Sequence, residues 1–174
     1  MKIYFATHAT TDDNENGIAS GHKDVKLSEL GISQAKNLPK ELRSISFDIV
    51  FCSDLSRAVD TADLAFKGKK PIIIDVRLRE VDYGDLNGAK KELIESIKTK
   101  HIEKPFLNGE SYEQRKEMIK EFLSEVKEKY PNKNILIIGH RVTQWSLDVL
   151  LDGKTFKEVI EKSFKWQPYW EYNF

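Results

Sequence analysis

The sequence predicts an α/β fold, a three-layer α/β/α sandwich with a largely parallel central sheet. Two observations predict it. Apolar runs of strand length alternate along the chain with segments of helical period. The strand runs are rich in Ile and Val and bounded by turn residues, the pattern of strands buried on both faces.

The strands are KIYFAT (2–7), DIVFCS (48–53), PIIID (71–75) and NILIIG (134–139), all expected to be buried. In LSELGISQAKNLPKEL (27–42), Ser28 suits an N-cap, and Leu30, Ala35 and Leu38 lie near one face. Pro39 is expected to end or kink that helix, because it lacks an N–H and its ring crowds the preceding turn. SDLSRAVDTADLAF (53–66) is expected to be capped by Ser53 or Asp54. It turns Leu55, Ala58, Val59, Ala62, Leu64 and Ala65 to a core. SYEQRKEMIKEFLSEVKEKY (111–130) carries Met118, Ile119, Phe122, Leu123 and Val126 at helical spacing, and shorter helices fit 142–151 and 155–164. The C-terminal FKWQPYWEYNF (164–174) packs six aromatics into eleven residues. Its period-2 pattern and Pro168 favour an edge strand; a homodimer surface or a platform for a flat substrate group is the alternative.

A chain of 174 residues can bury a core without disulfides or metals, so one domain spanning 1–174 is expected. Lys and Arg together number 28, as do Asp and Glu, and this balance argues against a general nucleic-acid binder. The basic runs KGKK (67–70) and KTKHIEK (98–104) suit solvated loops or helix ends. Cys52 is the only cysteine and falls in a strand run, which suits burial rather than redox work. No stretch has membrane-spanning length and the N-terminal apolar run is too short for a signal peptide, so a cytoplasmic address is expected, with no membrane partner.

Ligands in open α/β sheets gather at the carboxyl ends of strands. His8 follows the first strand; Ser53, Asp54 and Arg57 follow the second; His140 and Arg141 follow the last. Two histidines and two arginines therefore converge on one sheet edge beside helix N-termini. That collection suits an anion, with phosphate the obvious candidate.

Five segments, in order, resemble the histidine phosphatase superfamily, the phosphoglycerate-mutase-like proteins. FATHATTDDN resembles the opening strand and its Arg-His-Gly turn, with Asn14 at a phosphate-site position. ASGHKDVKLSELGISQAKNL resembles the next segment, including the Ser20–Gly21 turn. CSDLSRAVDTAD, LREVDYGDLNG and GESYEQRKEMIKEFL with NILIIGHR resemble the later signatures. The resemblance implies that His8 attacks phosphorus, Glu80 donates and then removes a proton, and Arg57 and His140 hold phosphate oxygens. It implies no cofactor and no metal; the four histidines also lack typical zinc spacing. The substrate is expected to be a small phosphorylated molecule. Lys90, Lys91 and Tyr83 are the first places to look for contacts, in and beside an expected lid at 87–112.

Two departures stand out. Thr7 and Ala9 replace the arginine and glycine that flank the nucleophile, and Arg141 replaces the glycine after the second histidine. Arg141 is expected to restore the lost cation from a neighbouring strand end, since a long forked side chain can reach a site from another origin; the alternative is a surface arginine directed to solvent or Asp148. Thr7, Thr10 and Thr11 can add hydrogen bonds but not charge. With 60 positions from Glu80 to His140 and 34 residues after His140, the resemblance is to the compact phosphatases of this superfamily, and it implies a phosphatase rather than a mutase. A phospho-ligand or phosphoprotein binder with impaired turnover is the second reading.

Overall fold

The computed structural model describes residues 1–174. Five strands form the central sheet: β1 (Lys2–Thr7), β3 (Ile49–Cys52), β4 (Ile72–Ile74), β6 (Ile135–Gly139) and β7 (Trp170–Asn173), in the order β4-β3-β6-β1-β7. The first four are mutually parallel and β7 runs antiparallel against β1. This is the expected α/β sandwich. A two-stranded antiparallel ribbon, β2 (Ile18–Ala19) with β5 (Ala89–Lys90), lies apart from it.

The strand alternation explains why whole runs are apolar. Ile3, Phe5, Ile49, Phe51, Ile135 and Ile137 pack against Ile119, Phe122 and Val126 of α5 (Tyr112–Lys129) and Leu147 of α6 (Arg141–Asp152). Tyr4, Ala6, Val50, Cys52, Leu136 and Ile138 face the other way, onto Ala58, Ala62 and Ala65 of α3 (Ser56–Phe66). Side chains alternate across a strand, so each run supplies two cores. A third cluster joins Val81, Tyr83, Phe106, Tyr112 and Trp145 to α4 (Lys91–Ile97) and α7 (Phe156–Glu161).

Several expectations change. Leu30, in α2 (Glu29–Glu41), is 54% exposed; the buried face is Gly31 and Ala35. A Cβ at Gly31 would come within 1.9 Å of the Thr10 carbonyl oxygen, so backbone contact sets that face. Leu64 and Met118 are also exposed. Pro39 neither ends α2 nor stops its last turn, because it falls only two residues before Glu41 and removes a single donor near the end. Ser53 and Asp54 do not cap α3: Ser53 bonds His140 and Asp54 pairs with Arg79, while Asp24 Oδ1 accepts the Ser56 N–H at 2.8 Å. The strand read from PIIID is a half-buried edge strand with Ile74 exposed. The C-terminal aromatics form an edge strand in part: Tyr172 is buried and Trp170 lies 5.6 Å from Phe5. No helix is long and apolar enough to cross a membrane.

Candidate active site

His8 leaves the carboxyl end of β1, where its N–H donates to the Gly139 carbonyl at 2.9 Å and extends the β1–β6 ladder by one residue. Its Nδ1 lies 2.8 Å from the Ala9 carbonyl oxygen. A carbonyl only accepts, so Nδ1 carries the proton and Nε2 keeps its lone pair. Burial, helped by the nearby Arg57 charge, pushes the imidazole pKa down to about 3. The ring is therefore neutral at ordinary pH, as a nucleophile must be. The Ala9 N–H donates to Thr61 Oγ1, which in turn donates to the Arg57 carbonyl, so the turn is tied to α3.

His140 begins α6 directly after β6, and its ring centre lies 5.1 Å from that of His8. Its Nε2 is 2.7 Å from Ser53 Oγ, while its buried Nδ1 has no partner. Burial first, then the Arg57 charge, pushes its pKa well below the ordinary value. Arg57, in the first turn of α3, is 2% exposed. It donates to the Gly21 and Lys23 carbonyls at 2.8 and 2.9 Å. Those two bonds fix the guanidinium plane, because its donors form a rigid fork.

Glu80 follows a short 3-10 turn (Val76–Leu78). Its Oε1 accepts from the Val81 N–H at 2.9 Å and its Oε2 from the Arg141 N–H at 3.2 Å. Burial nevertheless raises its pKa above the usual carboxyl value, against the pull of those donors and of Arg57. His22 Nε2 meets the Glu80 carbonyl oxygen at 2.7 Å and holds the backbone of the acid. Arg141 turns its guanidinium into a slot between aromatic rings, 4.2 Å from the centre of Phe164 and 5.2 Å from that of Trp145. Its Nη1 donates to Gln144 Oε1, and Gln144 passes the contact on to Asp148.

A cavity of about 660 Å³ is lined by His8, Arg57, Glu80, His140 and Arg141 together. Two histidines, two guanidinium groups and one carboxyl whose pKa burial raises share this strand-end cavity, a collection suited to an anionic ligand. The family model of the histidine phosphatase superfamily (branch 1) matches residues 3–170. The chain belongs to the histidine phosphatase superfamily.

Relatives within and near this superfamily differ in what they act on. Phosphoserine phosphatase 1 of Hydrogenobacter thermophilus is 30% identical over 165 residues, covering 88% of this chain and 77% of its own. A 2,3-bisphosphoglycerate-dependent phosphoglycerate mutase of Neisseria meningitidis is 28% identical over 178 residues, covering 98% and 72%. The crystal structure of the alpha-ribazole phosphatase from Shigella flexneri superposes with a TM-score of 0.77 at 29% identity, covering 91% of this chain and 83% of that one.

Thr7, Asn14, Ser20, Gly21 and Tyr83 line the cavity with the five groups above. Thr11 does not; it is fully buried and its hydroxyl caps α1 (Asp12–Glu15) by accepting the Asn14 N–H. Lys91 lines the cavity and Lys90, exposed in the β2–β5 ribbon, does not. The sequence assigns no role to His22 or to Gln144, and to Ser53 only a strand-end position and a helix cap. The signal for Ser53 was its place beside Asp54 and Arg57; for His22 and Gln144 only the folded contacts reveal one.

Proposed function

We propose that this chain is a phosphomonoester phosphatase that works through a phosphohistidine at His8. The neutral His8 Nε2 attacks phosphorus; the P–N bond forms as the P–O bond to the leaving alcohol breaks. Glu80 gives its proton to that departing oxygen. Water then attacks the phosphohistidine, Glu80 takes the water proton, and phosphate leaves as the P–N bond breaks. Arg57 and Arg141 supply donors and positive charge to the phosphoryl oxygens, and the neutral His140, with its Nε2 accepting from the Ser53 hydroxyl, supplies its Nδ1–H as a further donor. The observation that carries this reading is His8 itself: a ring with its proton held on Nδ1 by a carbonyl, 5.1 Å from a second histidine.

Arg141 bears on the Thr7 replacement. It lines the same cavity as His8 and is ordered by Phe164, Trp145 and Gln144, which favours relocation of the missing cation over a surface role. The ribbon and α4, with Lys91, Ile94, Glu95 and Lys98 on the cavity, suit the 87–112 segment as a lid. Hydrolysis, rather than phosphoryl transfer between substrates, is part of this reading, in keeping with the phosphoserine phosphatase among the relatives. A cytoplasmic setting is part of this reading.

Phosphate release from a generic aryl phosphate tests the reading. His8→Ala is expected to abolish turnover, and Arg141→Ala to slow it ~10²–10³-fold, the usual cost of losing one transition-state donor. Loss with His8→Ala alone would keep the enzyme and discard the relocation of the cation. Stoichiometric phosphate binding with no turnover across a broad ester panel would favour the phospho-ligand binder that Thr7 suggests.

A further inference from the structure

The cavity continues past the phosphoryl-transfer groups into a wall built from two distant pieces of chain. One is the exposed side of α2, with Gln34, Asn37, Leu38 and Glu41; the other is the segment before β7, with Phe164, Trp166 and Pro168. A phosphate group with a three-carbon leaving group fills only a small part of about 660 Å³, a volume in the range of drug-sized ligands.

The aromatics of the C-terminal segment divide into two sets. Tyr169, Trp170 and Tyr172 pack on the sheet, the first two against Tyr4 and Phe5. Phe164 and Trp166 are 48% and 65% exposed and both line the cavity; Phe164 stacks on Trp170 and under the Arg141 guanidinium, so Trp166 is the ring left without an aromatic or cationic partner. Large apolar rings presented to a cavity suit a flat partner. Phe164 also lies on the Arg141 guanidinium, so the aromatic wall adjoins the phosphate end directly.

The α2 side supplies a polar edge. Gln34 accepts the Thr10 N–H with its Oε1, which leaves its amide NH₂ without a protein partner. Asn37 donates to Glu41 Oε1, which leaves the second Glu41 oxygen and the Asn37 carbonyl oxygen to accept. Donors and acceptors together match the edge of a nitrogen heterocycle. The Glu41 carboxylate opposes a second phosphate or a carboxylate at this end.

We propose that this wall binds a flat heteroaromatic leaving group, so that the substrates are nucleoside-like phosphomonoesters. The ring stacks on Trp166 and its polar edge meets Gln34, Asn37 and Glu41. This inference rests on the phosphatase reading for its catalytic half only.

The test compares esters whose scissile bond is the same. Nucleoside 5′-monophosphates, glycerol 3-phosphate and phosphoserine all release a primary alcohol, so differences among them report recognition. A kcat/KM at least ~10-fold higher for a nucleoside monophosphate is expected, consistent with one base stacked on an aromatic ring. That ratio should collapse toward unity in Trp166→Ala and recover in part in Trp166→Phe. A ratio near unity in the intact protein, or one unmoved by Trp166→Ala, overturns the proposal. A second measurement needs no turnover: tryptophan fluorescence of the His8→Ala protein, titrated with adenosine or cytidine monophosphate and with inorganic phosphate. Tighter binding of the nucleotides with quenching that is lost in Trp166→Ala supports the wall; equal affinity for phosphate alone overturns it. Silence toward every ester combined with nucleotide quenching would sink the phosphatase reading and leave the wall standing.

Discussion

Each catalytic candidate is defined by a neighbour that limits its states. The Ala9 carbonyl fixes which His8 nitrogen is free, the Gly21 and Lys23 carbonyls fix the Arg57 plane, and two backbone N–H groups hold Glu80. Gly21 is needed for this in two ways. It adopts φ +55°, and a Cβ there would sit 1.9 Å from Asn87 Oδ1 and 2.8 Å from Tyr83. Asn87 Oδ1 is also the acceptor for the His22 and Tyr83 N–H groups, so its displacement would loosen the His22 contact to Glu80. Gly21→Ala is expected to cost about 2–4 kcal/mol, from the left-handed backbone together with overpacking. Urea unfolding measures it, and a loss under ~0.5 kcal/mol would show that the turn relaxes freely.

Among the elements, α5 illustrates how local sequence and burial agree. Ser111 accepts the Gln114 N–H at 3.1 Å while the Gln114 side chain accepts the Ser111 N–H at 2.8 Å, a reciprocal cap. The S-Y-E-Q pattern that makes this cap is local to the chain and opens the run with helical spacing. Ser111→Ala should destabilise the protein by about 1 kcal/mol. Thermal unfolding with and without the substitution checks this, and an unchanged midpoint would deny the cap its role. α3 is the counter-case. Its two expected caps are used at the active site and in an ion pair, and Asp24 from a distant loop takes over at Ser56. Sequence spacing could not disclose that exchange, because the cap is 32 residues away.

At the scale of the whole molecule, burying titratable groups at the site couples folding to pH. His8 and His140 have folded pKa values below the unfolded one, so the unfolded chain binds more protons as pH falls through about 6.5. Their contribution to stability is present above that pH and is lost on acidification, at up to about 1.4 kcal/mol per pH unit for each histidine. Glu80 acts in the opposite sense. Its folded pKa is raised, so its share is present at low pH and is lost as pH rises through that value. The urea midpoint is therefore expected to fall between pH 7 and pH 5, and His8→Asn should make the fall shallower. A midpoint that rises on acidification would contradict the burial of neutral imidazoles.

The sequence by itself determined the sheet, the helices, and the strand-end positions of His8, Arg57 and His140. It could do so because strand periodicity and turn chemistry are local, and because the carboxyl edge of a parallel sheet is where strand-end residues must meet. The tertiary structure decided the rest. Leu30 lost its core position because Gly31 packs on backbone, and Thr11 lies outside the cavity because its hydroxyl closes a helix cap. The orientation of Arg141 depends on rings at 145 and 164 and on an amide at 144, and the neutral state of His8 depends on burial supplied by the whole site. Such properties belong to packing between segments far apart in the chain, where neither period nor spacing carries information.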